Sequence, residues 1–164
     1  MEYVDGESLE KVIFKNRRLH VFDVVYIITQ LLDGIGYAHS KGYIHRDIKP
    51  SNIIVNSEGV VKIMDFGISK SIEGENSGAQ TSARIGTIYY MSPEQIKGMN
   101  VNKTSDIYSI GCTIYDMLSG KPPFDSKNDF EVMEGHLKEN PISLSNYLPS
   151  IPVALDNIVS KLLK

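Results

Sequence analysis

The sequence predicts a mainly α-helical fold with a small antiparallel β element, an α+β lobe. Three observations predict it. Residues 23 to 41 carry Val24, Ile27, Ile28, Leu31, Leu32, Ile35 and Ala38, which is helical spacing with one wide apolar face. Residues 104 to 118, TSDIYSIGCTIYDML, are strongly apolar, as a buried helix is. Between these segments the period changes. IIV (53–55) and VVKIM (60–64) are short β-branched runs, and Asn56-Ser57-Glu58-Gly59 between them reads as a hairpin turn.

In chain order, residues 1–4, MEYV, are a short apolar segment, and DGES after it reads as a turn. Ser8 is placed to cap a helix running through about Lys15, with Lys11 on its exposed face. NRRLHV (16–21) is a polar break. Asp23 is the expected N-cap of the long helix, and Gly42 stands where a left-handed C-terminal residue belongs. Residues 68 to 86 are rich in Ser, Gly, Thr and Gln and predict a long exposed loop. SGKPPF (119–124) stops the buried helix. Residues 129 to 139 predict a short surface helix, and NPISLSNYLPSIP (140–152) a proline-punctuated connection. Pro152 suits the first turn of a last helix over 153–164. Both ends read as elements already under way.

Composition sets the outer limits. With 164 residues, 41% apolar and 23% charged, the chain has the make-up of a globular domain or part of one. A net charge of −3 argues against a nucleic-acid partner. Cys112 is the one cysteine, which excludes an internal disulfide framework and fits a reducing, cytoplasmic setting. No uninterrupted apolar run approaches the roughly 18 residues that span a bilayer, so no membrane segment is expected within this chain. The acidic start MEYVDGESLEKV is unlike a signal peptide.

Chemistry concentrates in YIHRDIKPSNIIVNSEGVVKIMDFGISK, residues 43 to 70. Asp47 and Lys49 put a base and a cation close together on one turn. Asn52 and Asp65 offer oxygen donors at the edges of the two strands, and Mg²⁺ takes hard oxygen ligands in company with phosphate. Lysine supplies a point charge for phosphate. Gly67 after Phe66 lets the backbone turn sharply. Positioning and charge stabilisation are most of what phosphoryl transfer asks of a protein.

HRDIKPSN (45–52) and DFG (65–67) resemble the catalytic loop and metal-binding motif of the protein kinase family, in the same order and with a hairpin between them. GTIYYMSPE (86–94) resembles the end of the activation segment, with Ser92-Pro93-Glu94 in place of the usual Ala-Pro-Glu. SDIYSIGCTIYDMLSGKPPF (105–124) resembles the buried central helix of the large lobe and the turn after it, and MEYVDGESL (1–9) the hinge. Five ordered segments covering essentially residues 1–164 leave chance little room.

The resemblance implies the C-terminal lobe of a kinase-like domain, using ATP and Mg²⁺ to phosphorylate a Ser or Thr hydroxyl of a protein substrate. Asp47 and Lys49 would be catalytic, Asp47 accepting or orienting the hydroxyl proton and Lys49 contacting the γ-phosphate. Asn52 and Asp65 would hold Mg²⁺. Glu2, Val4, Ser8 and Ile54 would line the nucleotide site, with Glu2 and Val4 facing adenine and Ile54 beneath it. Arg46 would pair with a phosphate carried by Thr81 or Ser82, and Thr87 belongs to the same regulatory segment. Asp106 would hydrogen-bond the catalytic-loop backbone, and His45 would pack on Phe66. Lys49 two places after Asp47, together with Thr87, resembles the serine/threonine branch. YMSPEQ and the IPxxLDNIVSKLLK ending resemble its eukaryotic-like bacterial type.

The family's glycine-rich loop, strand lysine and helix glutamate are not among these residues, so the resemblance is to a kinase domain without its N-terminal lobe. Without that clamp on ATP, residues 1–164 alone are expected to turn over slowly or not at all. Two alternatives stay open. One is a catalytically inactive interaction or regulatory fragment, docking through 129–139 and SNYLPSIP. The other is half of a split kinase whose missing lobe comes from a partner chain. Glu94 is expected to lack the arginine that pairs with it in the family. Cys112 among Ile110, Ile114 and Met117 reads as packing, and His20 and His39 lack a partner spacing for a metal.

Overall fold

The computed structural model describes residues 5–66 and 86–164. Two long helices form its centre. They are α2 (Val21–Ser40) and α4 (Lys103–Ser119), joined in one apolar core by Leu31, Ile35, Ile110, Met117 and Leu118. Around them lie α1 (Leu9–Asn16), α3 (Pro93–Ile96), α5 (Asp129–Lys138) and α6 (Val153–Leu162). Three 3-10 turns, Pro50–Asn52, Ile88–Tyr90 and Leu144–Asn146, link these elements. The fold is helical with one small antiparallel sheet, as the periodicities predict.

That sheet has three strands in the order β1 (Glu7–Ser8), β2 (Ile53–Val55), β3 (Val61–Ile63). Its hairpin closes as expected. Asn56 N–H donates to the Val60 carbonyl at 3.1 Å, and the Asn56 side-chain oxygen accepts from Glu58 N at 3.0 Å and Val60 N at 2.8 Å. The strand β1 corrects the sequence reading, which took DGES as a turn alone. Glu7 pairs with Val55 and Ser8 with Ile54.

Helix α4 is buried nearly all round, from Ser105 to Leu118 with only Ile107 less enclosed. Its interior hydroxyls need acceptors, and the helix supplies them: Ser109 donates to the Ser105 carbonyl at 3.1 Å and Thr113 to that of Ser109 at 2.9 Å. Each fully buried Leu or Ile here contributes about 1.5–3 kcal/mol. Cys112 is completely buried, and desolvation holds its thiol well above the usual range. At Gly111 an added Cβ would sit 2.9 Å from Leu162 Cβ, so the glycine lets α6 approach closely. Gly120 ends the helix at φ 81°, and a Cβ there would meet the Arg17 carbonyl oxygen at 2.0 Å.

Boundaries shift where capping differs from the sequence reading. Ser8 does cap α1, accepting from Lys11 N at 3.4 Å. Helix α2 begins at Val21, so Asp23 lies in its first turn and His20 takes the cap position without a side-chain bond. Leu32 is 44% exposed and leaves the core face. α4 starts at Lys103, capped by Asn102; α5 stops at Lys138; α6 covers 153–162 with Pro152 as its cap. By length and composition alone α2 could also cross a membrane, which a search for uninterrupted apolar runs misses. Here Val24, Ile27, Ile28, Leu31, Ile35 and Ala38 turn into the core, as in a core helix of the same composition.

Candidate active site

The chain leaves α2 and enters a turn built on one buried carboxylate. Asp106, in the first turn of α4 and 1% exposed, accepts three hydrogen bonds. His45 N–H reaches Oδ2 at 2.9 Å, Arg46 N–H reaches Oδ1 at 2.8 Å, and His39 Nε2 lies 2.7 Å from Oδ2. Such charge-assisted bonds offset the desolvation of a buried carboxylate. His45 is fully buried and locked from both ring nitrogens. Its Nδ1 accepts from Asp47 N–H at 3.3 Å, which fixes the tautomer, so Nε2–H donates to the Met64 carbonyl at 2.9 Å. Its ring meets Phe66 edge-on at 4.8 Å, the contact the resemblance implies. Arg46 holds a left-handed backbone at φ 68°, uncommon for a side-chain-bearing residue.

Asp47 is the centre of a second polar group. Its Oδ2 lies 3.1 Å from Lys49 Nζ and accepts from Asn52 Nδ2 at 3.0 Å. The same Asn52 amide donates to the Asp47 carbonyl at 2.8 Å, which holds the turn closed. Lys49 Nζ also donates to Thr87 Oγ1 at 2.7 Å, and Thr87 is 6% exposed. The residue expected in a regulatory loop thus stands beside Lys49. Asp47 Oδ1 is buried and has no hydrogen-bond partner among the described residues.

The hairpin positions the remaining oxygens. Met64 N–H donates to the Asn52 carbonyl at 2.8 Å, and Asp65 follows directly, exposed and left-handed at φ 55°. Among the described residues no hydrogen bond ties Asp65 to Asp47, Lys49 or Asn52. Asn52 points its amide nitrogen at Asp47, leaving its amide oxygen as the donor available to a cation. The described residues contain no group of three His, Cys, Asp or Glu side chains suited to a metal. One amide oxygen and one exposed carboxylate nevertheless suit Mg²⁺, which keeps several waters and phosphate oxygens as ligands. Ser8 and Ile54 stand opposite each other in the sheet, and the Ser8 hydroxyl is engaged in capping α1. Glu2, Val4, Gly67, Thr81 and Ser82 lie outside the described residues, as does the predicted loop over 68–86 except Gly86.

Three contacts escape sequence reasoning. His39 touches Asp106 from 67 residues away, Gln95 Nε2 donates to the Arg46 carbonyl at 2.7 Å from 49 residues away, and Lys49 meets Thr87. Glu94 finds a different partner. It is partly exposed and accepts from the Ser105 hydroxyl, so it does not stand unpaired.

A further polar set lies behind the site. Tyr90 OH donates to Asp116 Oδ2 at 2.6 Å. Desolvation pushes the Asp116 carboxyl up to about 6, with the Tyr90 hydrogen bond opposing and Glu10 and Asp125 adding. His136 Nδ1 lies 2.8 Å from Tyr108 OH, while its Nε2 has no well-formed hydrogen bond among the described residues. Desolvation lowers His136 to about 4; the nearby Tyr89 and Ile88 backbone opposes this without reaching bonding geometry.

A helical lobe whose central helix anchors an HRD turn, with an aspartate, a lysine and an asparagine gathered beside a hairpin that leads into Asp65-Phe66, is the large lobe of a kinase-type fold. Sequence comparison agrees. The family model described as protein kinase domain matches residues 1–164. A probable serine/threonine-protein kinase PknB of Lactococcus lactis is 42% identical over 161 residues, covering 98% of this chain and 26% of its own length. The serine/threonine-protein kinase PknB of Mycobacterium leprae is 40% identical over 163 residues, 99% of this chain and 26% of its own length. A probable PknB of Bifidobacterium longum is 39% identical over 162 residues, 98% and 24%. The chain belongs to the protein kinase family, on the serine/threonine branch to which these bacterial relatives belong. It spans about a quarter of the length of the curated relatives it matches.

Proposed function

We propose that this chain supplies the catalytic loop and metal-binding hairpin of a serine/threonine protein kinase that transfers the γ-phosphate of ATP to a protein hydroxyl. The observation that carries the reading is the split environment of Asp47. One oxygen is held by Lys49 and Asn52, and the other is buried without a partner. An unpaired carboxylate oxygen is costly, and the Asp47 side chain, 30% exposed as a whole, can turn to offer it to a substrate Ser or Thr O–H. Asp47 then orients the hydroxyl and takes its proton as the oxygen attacks phosphorus. Lys49, steered by Asp47 and Thr87, meets the transferred phosphoryl group as a point charge.

Asn52 and Asp65 are the oxygen donors for Mg²⁺. Bound there, it would supply charge neutralisation for the phosphate groups of ATP. Ile54 beneath adenine, Ser8 opposite it, and Glu2 and Val4 at the hinge complete the proposed nucleotide site. Arg46 as partner of a phosphorylated Thr81 or Ser82 belongs to the same proposal, as does a cytoplasmic setting. The family's glycine-rich loop, strand lysine and helix glutamate are not found in residues 1–164, so turnover by these residues alone is expected to be low. A second reading has this lobe serve as a non-catalytic module or work with a lobe supplied by a partner chain.

The test is phosphotransfer from Mg²⁺-ATP to a basic protein substrate by the full-length protein and its Asp47→Asn variant. Loss of about 10²–10⁴-fold in rate with little change in melting temperature is expected. Equal rates in the two would remove Asp47 from the chemistry. Thermal stabilisation by Mg²⁺-ATP without transfer would favour the non-catalytic module.

A further inference from the structure

The peptide unit joining Arg46 to Asp47 is held at both ends by side chains. Its N–H donates to His45 Nδ1 at 3.3 Å, and its carbonyl accepts from Gln95 Nε2 at 2.7 Å. Arg46 on one side of this unit has φ 68°, a backbone state that costs energy for a residue with a Cβ unless its surroundings impose it. The Arg46 N–H to Asp106 fixes the preceding peptide unit. The Gln95 amide reaches the following carbonyl. A rotation of that unit would move the Asp47 backbone, and the side chain with it.

Gln95 is itself held in a defined orientation. It is the third residue of α3, and its Oε1 accepts from Ser92 N–H at 3.0 Å and from the Ser92 hydroxyl at 3.2 Å. A backbone N–H can only donate, so the oxygen must face Ser92 and the amide nitrogen must face Arg46. The capping box of α3 and the hydrogen bond to the catalytic turn thus share one side chain.

We propose that Gln95 is a positioning residue for Asp47. It braces the strained Arg46–Asp47 peptide from the helix that follows the Ile88–Tyr90 turn, so that the placement of the base depends on the packing of residues 92–95. This rests on the reading of Asp47 as the catalytic base. A capping role alone would make Gln95 matter only for the stability of α3.

Gln95→Glu separates the two roles. Glutamate is a standard third residue of a capping box and still accepts from Ser92 N–H, but its carboxylate has no proton to give the Arg46 carbonyl. In the full-length protein we expect the Glu variant to lose less melting temperature than Gln95→Ala, because it keeps the capping box. The amides of residues 46–48 should exchange with solvent at least roughly fivefold faster, as loss of one hydrogen bond implies. We expect kcat to fall about 10- to 100-fold with KM for ATP within about twofold of the parent. Gln95→Ala should show the same kinetic loss together with a lower melting temperature. Unchanged exchange over residues 46–48 in the Glu variant overturns the proposal, as does a kcat within about twofold of the parent despite faster exchange. The exchange arm needs no activity. If a parent protein that transfers no phosphate still shows the exchange difference, the brace stands and the reading of Asp47 as base is what fails.

Discussion

Helix α4 buries two aspartates about three turns apart, and the fold treats them in opposite ways. Asp106, 1% exposed, is met by three donors: the backbone N–H groups of His45 and Arg46 and the His39 ring. Asp116, 7% exposed, is met among the described residues by one donor, Tyr90 OH, with Glu10 and Asp125 acting on it as like charges. Burial is nearly equal, so burial does not set the role. Donor count does. A carboxylate satisfied on both oxygens can serve as a permanent anchor for backbone, whereas one with a single hydroxyl donor is held near the point of taking a proton.

Removing the anchor has the largest expected effect. Asp106→Ala leaves the N–H groups of His45 and Arg46 and the His39 ring without their acceptor inside the fold. Loss of a buried charged partner costs about 3–5 kcal/mol. Urea denaturation of the full-length protein should show a shift of that size, and, on the proposed function, phosphotransfer should fall with it, because the turn carrying Asp47 hangs from this side chain. Asp106→Asn keeps one acceptor oxygen and should fall between the parent and Ala. An Asp106→Ala variant within about 1 kcal/mol of the parent would show that the turn is held by its other contacts.

The contrast between the two aspartates was only partly legible in the sequence. The apolar spacing of α2 and the unbroken apolar run of α4 announce the core, because burial of a helix leaves a periodic trace. The hairpin is equally plain from β-branched runs around Asn56–Gly59. Strand β1 is not, since two residues carry no period and Glu7–Ser8 become a strand only through Val55 and Ile54. Asp47, Lys49 and Asn52 lie within one turn, so their meeting is a local matter and was foreseeable. The Asp106 anchor was anticipated through the kinase resemblance alone. His39, Gln95 and Thr87 reach their partners across tens of residues, and nothing in their local patterns signals it.

Asp116 gives a smaller effect with a distinctive pH signature. Its carboxyl is raised to about 6 in the fold from an ordinary 3.8, chiefly by desolvation. The folded state therefore holds the proton more tightly than the unfolded chain. The stabilisation is complete below about pH 4 and is lost as pH rises through about 6. His136 runs the other way. Lowered to about 4 from 6.5 by desolvation, it contributes stability present above about pH 6.5 that is lost as pH falls through about 4. Each is worth up to about 3 kcal/mol, so the two slopes largely cancel in the parent between these limits. Asp116→Asn keeps an acceptor for Tyr90 and removes one slope. Relative to the parent, the variant should gain up to about 3 kcal/mol between pH 4 and pH 7.5, and its own stability should fall on acidification as His136 dictates. A variant-to-parent difference that is flat with pH in urea titrations would mean that Asp116 does not titrate in this range.

The finest test asks whether the third donor to Asp106 matters. His39 lies on the last turn of α2, with its side chain 11% exposed and its Nε2 2.7 Å from Asp106 Oδ2. Oδ2 also serves His45 N–H, so loss of the imidazole leaves each carboxylate oxygen with one backbone donor. His39→Leu should cost about 1–3 kcal/mol, less than Asp106→Ala because no donor of the catalytic turn is stranded. His39→Gln retains an N–H and should recover part of the loss. If Leu and Gln are equally destabilised, the imidazole contributes by packing between α2 and α4. If Gln recovers stability, the hydrogen bond is the active element, and the difference between the two aspartates rests on donors supplied by side chains as well as backbone.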